Sequence, residues 1–338
     1  MALPCETEAR GLALGEARTH PNPSPGPTEA QILLTSILIP VFNEADHLAD
    51  CLGSIRAMPD CEIEVILVDD HSTDATYQIA CDIAAARGDL PITVLRNRGQ
   101  GKAAALNLAY RHAKGDGFVL LAGDDLLVSE VLPARIAAVA GPQPTVALCR
   151  YRSFSDIPAH DGTLFPRPGR EDHLAGGATS FNRAFAELYF PIPEELPNED
   201  SWLRAIAILF CLPVTFIDRI GLHYRIHDRN STGPSLDFAL TNEGLARRHA
   251  AFSLALERFD GATAAGRDRL ATLVQAEARR SAGDWLGVLR LKHLPAGDRS
   301  IFLANSTPWL FWIKGQLLQI LNRRNRRSRS AGRNVTPR

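Results

Sequence analysis

From Ser36 onward, short apolar runs alternate with stretches of helical periodicity, and this alternation constrains the fold more than any other feature of the chain. The apolar runs predict β-strands at 36–41, 62–68, 92–96 and 117–122. Between them, apolar residues recur at helical spacing. Strands that are apolar on both faces and separated by amphipathic helices are typical of a parallel sheet covered on both sides. The sequence therefore predicts a doubly wound, mostly parallel α/β sheet.

The second half of the chain is less regular. It predicts a helix near 129–140, an apolar strand at 145–151, and a loop rich in proline and glycine at 157–169. Residues 236–290 are rich in Ala, Leu, Arg and Glu, which favours helices. This half is interpreted as the substrate-facing half, followed by helices.

The N-terminal segment differs from the body in composition. Residues 21–27 hold four prolines and one glycine, so residues 1–30 are predicted to form a flexible tail. Residues 1–20 have no apolar stretch of the length that a secretory signal needs, and Glu6, Glu8 and Glu16 interrupt them. The sequence predicts a cytoplasmic protein.

The C-terminal segment is first apolar and then basic. Residues 309–321 are apolar apart from one lysine and two glutamines, too short a run for the ~18–20 apolar residues of a bilayer crossing. Residues 323–338 hold seven arginines and no acid. Two interpretations remain open for 309–338: an in-plane anchor on the anionic inner face of the cytoplasmic membrane, or a helix packed on the domain.

Charge and cysteine content exclude several classes of protein. The net charge is −1, so the chain outside the arginine-rich segment is acidic, which is not typical of nucleic-acid binding. The six cysteines show no CxxC pair or zinc-ligand spacing, and are predicted to be reduced and mostly buried.

Polar residues follow three of the predicted strands. The segments 40–44, 69–74 and 123–125 all begin where an apolar strand ends. In doubly wound sheets, ligands bind outside the carboxyl ends of the strands. These three segments are therefore predicted to share one edge and to form a ligand site.

Asp124 and Asp125 are the strongest candidates in this site. They follow an apolar strand directly and precede Leu126, so their carboxylates need a partner. A divalent Mg²⁺ or Mn²⁺ ion shared with substrate phosphates would supply it. For Asp69 and Asp70, helix capping is an equally good interpretation.

The segment Gly99–Ala104 matches the loose GxGxxG/A pattern of dinucleotide-binding proteins. It lies in the third strand–helix unit rather than the first, and Ala103 stands where a phosphate-binding P-loop has Ser or Thr. The segment is predicted to be a turn that presents Lys102 to phosphate.

Three of these segments carry a family resemblance. SILIPVFNE at 36–44, VDDHSTDAT at 68–76 and GKAAALNLAYRHAKGD at 101–116 resemble the motifs of family 2 glycosyltransferases, and the likeness covers 36–232. The resemblance implies the GT-A fold and inverting transfer from a UDP-, GDP- or dTDP-sugar. The family's carboxylate motif usually begins with an acid, whereas Ala122 stands there in this chain.

The resemblance also implies roles for individual residues. Pro40, Phe42 and Glu44 are expected to line the base pocket with Asp70, and Asp124 to bind the donor. Asp200, in a segment that resembles the family's "ED" motif, is expected to be the catalytic base. Its other interpretation, shared with Glu199, is an acid at a helix N-terminus.

The acceptor and metal residues complete the set. His227, in a segment that resembles the family's "yRiH" ending, is expected to join Asp124 and Asp125 at the metal. Residues expected on the acceptor side are Gly176, Gly177, Glu199 and Trp202.

The resulting prediction is a metal-dependent hexosyl-type transferase in cell-envelope or extracellular polysaccharide or glycolipid assembly, with a saccharide or lipid-linked acceptor. A non-catalytic sugar-nucleotide-binding or scaffold protein of the same fold is the alternative. The predicted divisions are 1–30, a GT-A domain at 31–235 (nucleotide-binding half 31–128, acceptor half 129–235), helices at 236–322, and a basic tail at 323–338.

Overall fold

The computed structural model describes residues 34–155, 157, 161–167, 174–227 and 237–317. The predictions for 1–30 and 323–338 concern residues outside these ranges. The nine strands are β1 Thr35–Val41, β2 Ile63–Asp69, β3 Ile92–Arg96, β4 Gly117–Leu120, β5 Leu126–Leu127, β6 Val146–Phe154, β7 Leu164–Phe165, β8 Thr179–Asn182 and β9 Val214–Arg225.

Ten complete α-helices accompany these strands in the described ranges, together with 3-10 turns at Ser129–Val131 and Gly176–Ala178. The helices are α1 Leu48–Ser54, α2 Thr76–Ala86, α3 Lys102–His112, α4 Leu132–Ala137, α5 Arg183–Tyr189, α6 Glu199–Leu209, α7 Phe238–Arg258, α8 Ala264–Ser281, α9 Trp285–Arg290 and α10 Ala296–Ala304. A further helix covers residues 308–317.

The strands form one sheet in the order β3-β2-β1-β4-β8-β6-β9-β5, with β7 paired to β6. Strands β1 to β4 are mutually parallel, whereas β8 pairs antiparallel with both β4 and β6. The chain runs outward from β1 to β3 and then returns past β1 to β4. Because such crossovers are right-handed, this reversal places α3 on the face opposite α1 and α2. The predicted doubly wound α/β class is confirmed.

The strands of the N-terminal half lie where the sequence predicts them. β1, β2 and β4 are buried along their whole length, which is why their sequences read as continuous apolar runs. The predicted helix near 129–140 is a 3-10 turn followed by the short α4. β8 and the 12-residue β9 were not predicted.

The C-terminal helices share the core of the sheet. Phe252 of α7, Leu270 of α8 and Phe302 of α10 are buried and belong to the same apolar cluster as the strands. No helix in the described ranges is both long and apolar enough to cross a membrane. The five cysteines placed there are free, and of these only Cys211 is exposed.

A buried arginine on α4 holds the turn that precedes β8. Arg135 is fully buried, and its guanidinium donates to Ser180 Oγ and to the carbonyls of Gly177 and Thr179 at 2.8–3.0 Å. Burial lowers its pKa. We expect Arg135→Met to lower the free energy of unfolding by about 2–4 kcal/mol, because two buried carbonyls lose donors. Urea titration measures this, with the exposed Arg56→Met as the control.

Candidate active site

A cavity of about 770 Å³ opens at the carboxyl ends of β1 and β4, where the strand order reverses. This is the position at which doubly wound sheets bind ligands. All but one of the predicted site residues line the cavity. They are Pro40, Phe42, Glu44, Asp70, Lys102, Asp124, Asp125, Gly176, Gly177, Glu199, Asp200 and His227.

The loop after β1 is tied to the loop after β2. The backbone N–H of Asn43 donates to Ser72 Oγ at 2.9 Å, and its side-chain oxygen accepts from the N–H of Thr73 at 2.8 Å. The N–H of Glu44 donates to Thr76 Oγ1 at 2.8 Å. These bonds fix one rim of the cavity, from which Phe42 projects with 55% of its surface exposed.

Asp70 holds the glycine-rich turn in place. Its carboxylate accepts from the backbone N–H of Gly101, at 2.9 and 3.0 Å, and from Asn97 Nδ2 at 2.7 Å. Gly101 has φ of 93°, a left-handed conformation that glycine adopts without strain. The glycine-rich turn is therefore held by the Asp70 carboxylate, a contact that the sequence pattern does not reveal.

Lys102 begins α3, and its ammonium lies 2.6 Å from Glu199 Oε1. Although desolvation opposes its charge, Glu199 and Asp200 raise the pKa of Lys102 above its usual range. Its ammonium is therefore paired with the carboxylate at the first position of α6 in this structure. The prediction that it faces phosphate did not anticipate this partner.

Arg225, at the end of β9, clamps the Asp124–Asp125 turn from the side. Its Nε donates to the Asp124 carbonyl, and its backbone N–H donates to Asp125 Oδ1, both at 2.8 Å. Burial and the adjacent charge of Asp124 raise the pKa of Asp125 well above its usual value. Arg225 belongs to the segment that resembles the family's "yRiH" ending, and the sequence analysis assigns it no role.

The potential metal ligands differ from the predicted set of Asp124, Asp125 and His227. His227 Nε2 lies 3.1 Å from Asp124 Oδ2. In the described ranges, the group of three acidic, His or Cys residues with ligand atoms all within 4.8 Å is Glu44, His47 and His227. Neither Asp124 nor Asp125 is in this group, and Asp125 Oδ1 accepts a hydrogen bond from the Arg225 backbone N–H.

His47 was missed by the sequence analysis. Burial, followed by the charge of Arg225, lowers the pKa of its imidazole, which favours the neutral form that ligates metals. Its ring centroid lies 5.2 Å from that of His227. The sequence did offer a signal for His47 as a candidate ligand: it follows Glu44 by three residues, and this spacing places both side chains just before α1.

Gly176 makes room for two carboxylates, and Gly177 makes room for the side chain of Leu222. A Cβ on Gly176 would lie 2.8 Å from Glu199 Oε1 and 3.0 Å from Asp200 Oδ1. A Cβ on Gly177 would lie 2.8 Å from a methyl carbon of Leu222. The backbone N–H of Gly176 donates to Asp200 Oδ1 at 2.6 Å. This bond fixes the direction of the Asp200 carboxylate.

The environment of Asp200 suits proton transfer near neutral pH. Burial and the charge of Glu199 raise the pKa of Asp200 to about 7, against the lowering effects of Lys102 and of the Gly176 hydrogen bond. A general base works best when its pKa lies close to the working pH.

Trp202 lies in the core and not on the acceptor side of the cavity. It is fully buried, and its indole N–H donates to the Tyr189 carbonyl at 2.7 Å. On a helix, residues two apart point to different sides, so Trp202 turns away from the side that Asp200 occupies. The acceptor-side prediction for Trp202 is corrected accordingly.

Other cavity residues lie outside the predicted set. Arg248 comes from α7, and the charge of Asp200 acts on its guanidinium. Asn198 and Glu199 line the same region, and among the described residues no donor reaches their buried oxygens Asn198 Oδ1 and Glu199 Oε2. Nothing in the composition of 236–290 distinguishes Arg248 from its neighbours, so no sequence signal could have found it.

The fold is that of GT-A glycosyltransferases. The chain is similar to the mannosyltransferase PcManGT from Pyrobaculum calidifontis, solved with GDP-Man and Mn²⁺, with TM-score 0.58, 21% identity and 88% of each chain covered. It is also similar to TarS residues 1–349 from S. aureus, solved with UDP-GlcNAc, with TM-score 0.55, 18% identity and 82% of each chain covered.

Sequence comparison points to one family. Residues 36–185 match the family described as Glycosyl transferase family 2. The putative glycosyltransferase EpsH of Bacillus subtilis is 25% identical over 57% of this chain and 60% of its own length. An undecaprenyl-phosphate 4-deoxy-4-formamido-L-arabinose transferase of Aeromonas hydrophila is 36% identical over 37% of this chain and 39% of its own length. The chain thus spans about 60% or less of these relatives.

Proposed function

We propose that the protein is an inverting glycosyltransferase that moves a sugar from a nucleoside-diphosphate sugar to an acceptor hydroxyl. The observation that carries the proposal is that one cavity holds both a carboxylate placed to bind a metal and a carboxylate suited to accept a proton. Asp124 lies at the strand switch point beside His227, and Asp200 lies on the same cavity in the acceptor half with a pKa of about 7.

The donor half offers complementary contacts for a nucleotide. Phe42 presents an exposed ring against which a base can stack, and Pro40 and Glu44 line the same wall. Because the strand ends and the hydrogen-bonded rim already hold this wall in place, nucleotide binding would lose little conformational entropy. We place the base and ribose here and the diphosphate toward Asp124.

A divalent cation would be held by His227 and Asp124, with Glu44 and His47 as further ligands. The donor set fits a divalent first-row metal such as Mn²⁺, since carboxylate oxygens suit Mn²⁺ and imidazole nitrogens suit the transition metals more than Mg²⁺. When bound, such an ion would neutralise the negative charge of the diphosphate leaving group. The proposal for this chain rests on its own ligand atoms; PcManGT, whose structure contains Mn²⁺, is consistent with it.

The acceptor half supplies the base. The Gly176 N–H donates to one carboxylate oxygen of Asp200. The other carboxylate oxygen is left to accept the proton of an acceptor hydroxyl while the hydroxyl oxygen attacks C1 of the sugar. The C1–O bond to the diphosphate breaks in the same displacement, so the anomeric configuration inverts.

We place the reaction in the assembly of cell-envelope or extracellular polysaccharide or glycolipid, with a saccharide or lipid-linked acceptor. The support is the name of several relatives, which act on undecaprenyl phosphate. These relatives match only about a third of the chain. The acceptor is therefore assigned by class only.

A donor panel tests the proposal. The protein is incubated with Mn²⁺ or Mg²⁺ and UDP-, GDP- and dTDP-sugars, and release of nucleoside diphosphate is measured. We expect one nucleotide series to be hydrolysed slowly without acceptor and faster when an acceptor saccharide or lipid is added. If no donor binds or reacts with either ion, the scaffold alternative replaces the proposal.

A further inference from the structure

The helix over residues 308–317 turns its apolar side to solvent. Trp309, Trp312, Ile313 and Leu317 follow one another at helical spacing, so they share one face. Their exposed fractions are 49%, 64%, 39% and 55%. A surface helix of a globular protein normally buries such a stripe against the core. This helix does the reverse.

Contacts on its opposite side fix this orientation. Phe311 packs edge-on against Phe238 of α7, with ring centroids 5.6 Å apart. Lys314 points the same way, because its ammonium donates to Asn305 Oδ1 at 2.7 Å and lies over the Phe311 ring. The charged residue thus faces the protein, and the tryptophans face outward.

Helix α9 extends the exposed surface. Trp285 packs edge-on against Trp309 with ring centroids 5.8 Å apart, which brings the two helices together. On α9, Leu286 and Leu289 are 42% and 47% exposed. Of the ten large apolar side chains that are exposed in the described ranges, six lie on these two helices. We call these six residues the apolar patch: Leu286, Leu289, Trp309, Trp312, Ile313 and Leu317.

The charge around the apolar patch is basic. Arg290 and Lys292 are exposed directly after the leucines of α9. In the sequence, the seven arginines of 323–338 follow the helix without an intervening acid. Tryptophan is enriched at the boundary between lipid headgroups and acyl chains, and clustered arginines are attracted to anionic lipids.

We propose that the apolar patch docks the protein in the plane of an anionic membrane surface, with Trp309 and Trp312 inserted at the headgroup boundary and the exposed Arg290 and Lys292 beside the lipid phosphates. Apolar insertion and charge attraction together give reversible binding. This inference rests on the two helices and not on the proposed transfer reaction, so each can fail without the other.

Vesicle flotation of the full 338-residue chain tests the docking. Vesicles of neutral phosphatidylcholine are compared with vesicles that contain anionic phosphatidylglycerol, at low and high salt. We expect binding to the anionic vesicles, weakened by salt, and a loss of about tenfold or more in the partition coefficient for Trp309→Ser/Trp312→Ser. The control is Leu164→Ser, since Leu164 is 39% exposed on β7.

A second readout separates insertion from a structural effect of the double change. Brominated lipids should quench the tryptophan fluorescence of the unchanged protein, and in the double variant this quenching should disappear while the melting temperature stays within a few degrees. Equal vesicle binding by the double variant overturns the proposal. Absence of binding to anionic vesicles also overturns the proposal. If, in addition, sedimentation shows a dimer that the double variant loses, the patch is an interface with a second copy of the chain.

Discussion

Asp200→Asn should lower the turnover number of sugar transfer by about 10³-fold while leaving the affinity for the donor within about twofold. The amide keeps the shape of the side chain, and its oxygen still accepts the Gly176 N–H, so the local structure is retained. It has no carboxylate oxygen to take the acceptor proton. Steady-state kinetics with a donor found by the panel, together with calorimetric binding of the nucleoside diphosphate, measures both quantities.

The matched control is Asp218→Asn, the same change on an exposed carboxylate of β9. It should leave turnover unchanged. Full transfer by Asp200→Asn would show that the base assignment is wrong, even if donor binding and metal dependence are as expected.

The pH profile gives an independent check on the same residue. Because Asp200 has a pKa near 7, turnover should rise as pH increases through about 7 and then level off. Its pKa in the unfolded chain is ~3.9, so between pH ~4 and 7 the folded state binds more protons and loses stability as pH rises. Asp200→Asn should therefore melt a few degrees higher than the unchanged protein at pH 8. Loss of activity with a gain in stability cannot come from unfolding.

The N-terminal half of the fold could be predicted because its strands are buried on both faces. Residues 63–69 of β2, for example, are all buried, and such a strand leaves a continuous apolar run in the sequence. β9 could not be found in this way. Its residues are mostly half-buried or exposed in no regular order, and it carries Asp218, Arg219, His223 and Arg225, so neither strand nor helix periodicity is present.

The site was predicted as a set of residues but not as a set of contacts. Motifs identify the strand ends, and the sheet topology brings them together without further information. The partner of a long side chain depends on distant elements: Lys102 meets Glu199, 97 positions later in the chain, and no local pattern encodes that pair. Trp202 was misplaced because its neighbours in the motif do not fix the direction in which a helical side chain points.

Asp124→Asn should lower both the affinity for Mn²⁺ in the presence of nucleoside diphosphate and the turnover number, by about 10²-fold or more. Asp124 contributes the carboxylate that lies 3.1 Å from His227 Nε2, and the usual first acid of the motif is replaced by Ala122, which offers no ligand atom. Calorimetric titration of Mn²⁺ and the electron paramagnetic resonance signal of bound Mn²⁺ measure the loss without any need for turnover.

Two comparisons make this prediction specific to the geometry. Asp125→Asn should affect Mn²⁺ affinity less than Asp124→Asn, because Asp125 Oδ1 accepts from the Arg225 backbone and an amide oxygen can do the same. His47→Ala should weaken Mn²⁺ binding more than Mg²⁺ binding, since removing an imidazole costs most with the ion that prefers nitrogen. If Asp125→Asn instead abolishes Mn²⁺ binding and His47→Ala leaves the preference for Mn²⁺ unchanged, the ion is held by Asp124 and Asp125 without His47. The replacement of the first acid by Ala122 would then have no compensation from His47.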